Sequence, residues 1–562
     1  ILYTRPVRVA VEGYGTRADS LALVALYNAT NGDEWTKNEN WLSGPLETWY
    51  GISTFEDRVT QIRLMNNNLQ GSLPPELGKL VKMSSLDLAN NKLSGSIPAE
   101  IGSLTELSSL YLYSNELSGS IPSEIGNLSN LSIVYLYRNE LTGPLPAEIG
   151  SLGSLTYFSA HNNAIDGEIP TEIGNCTNLK ELHLGNNNLS GPLPEEFSRL
   201  VHMQTLNLYS NNFSGTLFNL IDGFTELQKL SIQNNQFHGQ IPDKISQFDQ
   251  LFYMSLGENR FSGEIPPEIG QLANMKFLHL DHNAFHGCIP PELGNLNLLT
   301  RLYLQDNEFD GSFPVEISQI DSIKYIYIYS NQLSELPDLT VIDNLVDLRI
   351  HRNKFTFEDI EPNLSIETFY YLPQDSIGLS QDTTVNQGES LQMSVHVGGS
   401  ANRYQWYKDN TGIEGAQDSV FTIEAASESD AGEYVCRITS DVVTNLTLYS
   451  QPVTVSISTE SGVAESEQIP LEFSLQQNYP NPFNSSTLIR YELPRDTHVN
   501  LVIYNIAGQK IKTLFDGSQT AGVKQAAWDG YNDQRQKMPS GIYVYRIHAD
   551  DFTQSRKMIL VE

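Results

Sequence analysis

Apolar positions recur along the middle of the chain with a fixed beat. Residues 84–107 read SSLDLANNKLSGSIPAEIGSLTEL, with Leu86, Leu88, Leu93 and Ile97 separated by Asn91, Gly95 and Pro98. The asparagine returns at positions 67, 91, 115, 139, 163, 187, 211, 235, 259, 283, 307 and 331, each step being 24 residues, and once more at Asn353 after 22. Such a period marks a repeat architecture. Leu86 and Leu88 flank Asp87, so they point to one side of a short strand and Asp87 to the other. A strand this short buries nothing alone. Stacked copies do, as a parallel sheet along a solenoid. Asn91 falls where the chain leaves the strand, and its amide both donates and accepts, so a row of such residues can satisfy the backbone groups the turn leaves open. Gly95 permits a positive-φ bend and Pro98 fixes φ in the returning segment.

The G-x-I-P half of this unit resembles plant-type leucine-rich repeats. The resemblance covers about residues 59–358 and implies an α/β solenoid: a parallel sheet on one side, and mostly irregular or 3₁₀ turns on the convex side. The solenoid is assigned to residues 59–368, with about 13 repeats. Before it, residues 1–58 form an N-terminal region and cap. The run DSLALVALYNATNG from Asp19 reads as a short helix stopped at Asn31-Gly32. Trp35, Trp41 and Trp49 follow within fifteen residues and suit a plug for the open end of the solenoid; a sugar-stacking site is the alternative. Plant relatives usually carry a cysteine pair in this cap, and none occurs here. The first residue is Ile, so the chain is expected to be processed or truncated at its start.

Past Phe369 the beat stops and short alternating runs begin. In residues 369–457, Trp406 in YQWYKD is followed by DAGEYVC with Asp430, Gly432, Tyr434 and Cys436. This resembles an immunoglobulin-like sandwich. The position expected for its first cysteine, near Val395, is apolar, so packing replaces the inter-sheet disulfide. Residues 458–470 are small, polar and acidic and read as a linker. Residues 471–562 read as a second all-β sandwich. Asn478-Tyr479-Pro480-Asn481-Pro482-Phe483-Asn484, IYNIAGQKI, WDGYND, SGIYVYRI and the closing Lys557-Met558-Ile559-Leu560 resemble the C-terminal sorting domain of type IX secretion substrates. That resemblance implies export across the outer membrane of a Bacteroidota-like bacterium to the cell surface or medium. It also implies the secretion machinery as a partner, with Asn478, Pro480, Asn481, Pro482, Lys557, Met558 and Leu560 as the signal.

Charge narrows the partners. The net charge is −33: −23 over residues 1–368, −11 over 369–467 and +1 over 468–562. So acidic a surface repels phosphate backbones, which argues against nucleic acid. No apolar run of membrane-spanning length occurs. Cys176, Cys288 and Cys436 are too scattered for a disulfide framework or a C-x-x-C metal pair and are expected to be small buried residues. No G-x-S-x-G, H-E-x-x-H or phosphate-binding glycine loop is present, so no enzyme and no cofactor is expected. The recurrent Glu after the proline, as at Glu100 and Glu124, reads as a solvated ridge.

Function is therefore sought on the open sheet face, at the positions six, four, two and one before each repeat asparagine. Eleven of the 27 tyrosines fall there. Tyr111, Tyr113, Tyr135, Tyr137, Tyr157 and His161 make one cluster; Phe277, His279, Tyr303, Tyr325, Tyr327 and Tyr329 make another. Coils between them carry Gly185, Gly257, Ser231, Ser255 and Gln233. The basic residues of the face (Arg63, Arg138, Lys229, Arg301, Arg349, Arg352) balance its acids (Asp87, Glu181, Glu258, Asp281, Asp306, Asp347). A neutral, tyrosine-rich strip suits an extended extracellular glycan or peptide, and the alternative is a structural spacer without a ligand. A metal at His279, Asp281, His282 and Asp306 is the weaker possibility, and no metal site is assigned.

Overall fold

A computed structural model describes residues 14–378, 380–458, 470–479, 481, 483, 487–532 and 537–560. The chain forms two compact units. The first runs through Asp382 and adds Gln392–Phe421 and Gly432–Thr454; the second comprises Thr383–Leu391, Thr422–Ala431 and the chain from Val455.

The first unit is dominated by a 15-stranded sheet. It opens with an antiparallel pair, Ile52–Phe55 against Arg58–Arg63, and then adds one three-residue parallel strand per coil, as in Ser85–Asp87 and Ser109–Tyr111. Pairing is in strict register, Leu86 opposite Leu110 and so on, because a one-residue slip would turn each buried leucine outward. The last strand, Thr368–Tyr370, pairs with Asp347–Arg349, so the sheet continues past the point where the 24-residue beat ends.

The asparagine row closes each coil. Asn211 Nδ2 donates to the carbonyls of Leu184 (2.9 Å) and Leu208 (3.1 Å), and its Oδ1 accepts the N–H of Leu189 (3.0 Å). The same three-way set recurs from Asn91 to Asn353. The residue before each ladder asparagine is left-handed, from Asn66 (φ 53°) to Arg352 (φ 54°), and Gly95 is also positive (φ 74°).

Two features go beyond the expected convex side. The L-S-G segment of each repeat, such as Lys92–Gly95, forms a second, 12-stranded parallel sheet. The E-I-G segment then makes a five-residue 3₁₀ turn, as in Ala99–Ser103. A Cβ on Gly102 would stand 2.4 Å from the carbonyl oxygen of Glu124, so this glycine is what lets successive coils approach. Where Phe218 replaces the proline, an α-helical turn, Phe218–Ile221, takes the place of the 3₁₀ turn.

The N-terminal helix Tyr14–Ala29 precedes the three tryptophans. All three are buried and interlocked: Trp35 lies 4.7 Å from Trp41, and Trp41 5.0 Å from Trp49, between ring centroids. Each indole N–H donates to a carbonyl, those of Thr30, Tyr50 and Ser43. Rings packed this way plug the solenoid and offer no face to a sugar, which removes the alternative reading of the cap. No helix among the described residues is long and apolar enough to cross a membrane.

After the solenoid, Asn402–Lys408 pairs antiparallel with Gly432–Ser440, placing Trp406 opposite Cys436. Trp406, Tyr434, Cys436 and Val395 are all buried, so the missing disulfide is replaced by apolar packing. In the second unit, Ser474–Leu475, Thr487–Leu493 and Gly522–Trp528 make one sheet; Lys510–Gln519, Thr497–Asn505, Gly541–Ala549 and Phe552–Leu560 make the other. Trp528, Tyr491 and Tyr545 fill the core between them. The cysteine expectation needs one correction: Cys176 and Cys436 are buried, but Cys288 is exposed, since it falls at the end of a second-sheet strand where side chains alternate outward.

Candidate functional site

The outward positions of the 15-stranded sheet form rows, because in-register strands bring residues 24 apart side by side, about 4.8 Å between coils. All twelve candidate side chains lie on this face and are half-buried. In the first cluster Tyr113, Tyr137 and His161 form a parallel stack, 4.5 Å between successive centroids, tilted by 10° and 8°. Tyr135 meets Tyr111 edge-on at 5.5 Å. Tyr157 stands between Ile133 and Glu181 in its row and joins no ring stack among the described residues.

The second cluster is a set of stacks. His279, Tyr303 and Tyr327 are parallel at 4.3 and 4.4 Å, and the Arg349 guanidinium caps the last ring at 4.4 Å. Tyr329 stacks on His351 at 4.4 Å. Phe277 contacts Tyr253 at 5.6 Å. Tyr325 is joined to Phe277 only through Arg301, which lies 5.3 Å from each ring. Tyr253, Arg301, Arg349 and His351 thus belong to the cluster; the sequence pattern put Tyr253 and the two arginines on the face but outside the cluster, and their places at fixed offsets from the repeat asparagine are the signal that finds all four.

The coils between the clusters are less open than their glycines suggest. A Cβ on Gly185 would stand 2.4 Å from the Tyr209 ring, and one on Gly257 would stand 2.9 Å from Asp281 Oδ1. Side chains here lean back over the preceding coil, so each glycine is the floor beneath a neighbour.

Part of the charge on the strip is neutralised locally. Asp347 accepts from Tyr327 Oη (2.9 Å) and from Arg349, and burial followed by this bond raises the Tyr327 phenol's pKa. His282 faces Asp281 with Nδ1 and Asp306 with Nε2, each at 3.1 Å. Burial lifts the Asp281 carboxyl, against the pull of His282. Burial lowers His161 and His279 to about 4, with the neighbouring His183 and Arg138 adding to the first and Arg301 to the second. Among the described residues no group of three or more His, Cys, Asp and Glu side chains is arranged to hold a metal ion. His282 with its two carboxylates instead ties adjacent coils together.

In the second unit the backbone N–H of Asn478 donates to Tyr545 Oη (2.8 Å). Asn481 Oδ1 accepts the N–H of Ile559 (2.8 Å). Lys557, Met558 and Leu560 lie in the final strand, Met558 and Leu560 in the core. Pro480 and Pro482 lie outside the described residues.

Models of the leucine-rich repeat match residues 82–104, 106–128, 178–200, 226–248 and 274–296. The solenoid is built of leucine-rich repeats. An immunoglobulin-domain model matches residues 376–440 and a FlgD Ig-like domain model matches 483–551, so both following domains are immunoglobulin-like all-β folds. No curated protein matches the sequence. Among solved structures, the plant peptide hormone receptor RGFR1 in complex with RGF2 is 29% identical, with 57% of this chain and 59% of that chain covered and a TM-score of 0.49. The PEPR1–AtPEP1 structure is 28% identical, with 66% and 59% covered and a TM-score of 0.50. A plant ice-binding protein is 26% identical, with 52% and 94% covered and a TM-score of 0.47. The chain spans about six-tenths of the length of the first two.

Proposed function

We propose that this is a non-enzymatic recognition protein that holds an extended peptide along the concave face of its leucine-rich repeats. The observation that carries the reading is how the rings are used. Tyr137 is covered on one face by Tyr113 and on the other by His161; Tyr327 lies between Tyr303 and Arg349. A pyranose stacks on a free ring face, and these central rings have none. What they leave to a ligand is ring edges and phenol oxygens, the Tyr327 proton being given to Asp347, and these suit the alternating donors and side chains of an extended peptide. Similarity to the PEPR1–AtPEP1 structure supports the same reading. The test is a peptide-library screen on the full chain, repeated with Tyr135→Ala and Tyr327→Ala. Weaker capture by the variants is expected; unchanged capture sinks the assignment of this face.

A second reading has its own support. Rings stacked along the solenoid axis join neighbouring coils whether or not a ligand is present, as a structural spacer would require. On that reading the two substitutions lower the melting temperature and leave every capture assay unchanged. For the C-terminal domain, the proposed role is export through type IX machinery to the surface or medium. The hold of Asn478 and Asn481 on Tyr545 and Ile559 supports a signal built from the loop and the final strand together. Removing residues 471–562 should retain the protein inside a type IX-competent host; undiminished export would reject it.

A further inference from the structure

Two cations of the concave strip have aromatic neighbours but no carboxylate partner. Arg301 lies between the rings of Phe277 and Tyr325, and Lys229 Nζ sits 4.9 Å from the centroid of Tyr253. Among the described residues neither is within ion-pair distance of an acid. Four of the six acids of the same strip are engaged elsewhere: Asp347 by Arg349 and Tyr327, Asp281 and Asp306 by His282, Glu181 by His183. Register places Lys229, Tyr253, Phe277 and Arg301 side by side on four successive coils.

We infer that this row is a clamp for an extended peptide bearing two acidic side chains around an apolar one, in the order acid–x–apolar–x–acid. The inference rests on the peptide reading above and specifies the ligand. Three coil steps separate the cations, about 14 Å at 4.8 Å per step, which an extended peptide covers in about four residues. Four is even, so both acids and the residue midway between them point to the same side of the peptide. The midway residue then meets Tyr253 and Phe277. Stacking between two rings fixes the plane of the Arg301 guanidinium and leaves its N–H edge for a carboxylate. The protein's net negative field opposes an acidic ligand at long range but is screened beyond about 8 Å at physiological salt, so the selection is local. The first cluster has Arg138 beside Tyr137 and His161 but, among the described residues, no cation held over its rings, and it does not share this preference.

The test uses the full chain and fluorescein-labelled peptides with Gly-Ser flanks, read by fluorescence polarisation. The central segments are Glu-Ala-Phe-Ala-Glu, its Gln-Ala-Phe-Ala-Gln counterpart, and Glu-Ala-Phe-Glu, in which the second acid turns to the opposite side. The first should bind about tenfold or more tighter than the other two, as expected for charge-assisted bonds. Arg301→Gln and Lys229→Gln should each remove most of that advantage, weakening the Glu peptide by a much larger factor than the Gln peptide. Equal binding of the acidic and Gln peptides overturns the clamp, as does an Arg301→Gln effect on both alike. If both peptides bind equally and Tyr327→Ala weakens both, the clamp falls and the peptide reading stands. If no peptide binds at millimolar concentration, both fall.

Discussion

Replacing Asn211 with alanine tests the closure of the coils most directly. Its side chain is buried, with 8% of its surface exposed, and bonds across two successive coils. The substitution strips a donor from the carbonyls of Leu184 and Leu208 and an acceptor from the N–H of Leu189. All three groups lie inside the stack, and a buried polar group left unpaired costs about 1–3 kcal/mol. The space vacated by the amide admits water to part of this set, so the sum is reduced below three full penalties, to about 3–5 kcal/mol. Asn188, one residue beyond the neighbouring ladder position, is exposed and serves as the control, with an expected change within about 0.5 kcal/mol for Asn188→Ala. Stability in a solenoid is summed coil by coil, so the loss should be local. Amide hydrogen exchange at Leu189 is therefore the right assay: Asn211→Ala should accelerate it by two orders of magnitude or more, with far smaller effects at the corresponding amides several coils away. An Asn211→Ala effect no larger than that of Asn188→Ala would refute the account of the asparagine row as the coil's hydrogen-bond closure.

Three further outcomes follow from the same geometry. Gly185→Ala should cost about 1–3 kcal/mol, because its Cβ displaces the Tyr209 ring, and urea unfolding with Gly153→Ala as control (open space at that Cβ) checks it. His161 and His279 have folded pKa values near 4, below the unfolded value of 6.5, so the unfolded chain binds the extra proton first as pH falls. Their contribution to stability is full above pH 6.5 and declines toward pH 4; melting-temperature profiles of His161→Gln and His279→Gln should be flatter than wild type across that window, and parallel profiles would contradict the burial argument. Iodoacetamide should modify Cys288 alone in the native protein and all three cysteines in urea, since burial raises the Cys176 and Cys436 thiols to about 11 and leaves them inaccessible.

The sequence discloses the coil more fully than the strip. Leucine and asparagine positions are legible because their jobs are the same in every coil. So is the plug, since three tryptophans in a short run have no cheaper use than burial. The second sheet was not legible: L-S-G is too short and too glycine-rich for strand periodicity, and it pairs only because neighbouring coils present the same segment. The E-I-G glycine gives no sign in the sequence of its reason, which is the carbonyl of the next coil. On the strip, spacing located the rows but not the contacts within them. Whether Tyr209 covers Gly185 or leaves it open depends on which way the side chain leans, a rotamer choice that no residue count contains. The Arg301 sandwich needs both neighbours 24 residues away, and neither Phe277 nor Tyr325 alone suggests it.

The division of labour between the two kinds of position bears on what the strip is for. Leucines fill the interior and asparagines satisfy the turns, so neither the core nor the hydrogen-bond ladder requires anything of the outward residues. Tyrosine stacks add cohesion between coils, but a spacer gains that from any pair of neighbouring rings and has no reason to vary their chemistry from one end to the other. Here it does vary. The first stack ends on His161, half-buried beside His183 and Arg138, with no cation lying over its rings among the described residues. The second region sets Lys229, Arg301 and Arg349 against rings and pairs only Arg349 with an acid. Lys229 and Arg301 are thus held by rings and not by carboxylates, on a chain with a net charge of −33. An unpaired, ring-held guanidinium is explained more economically by a carboxylate that arrives from outside the chain, which is why the acidic-peptide comparison discriminates between a recognition surface and a spacer more sharply than removal of any single tyrosine.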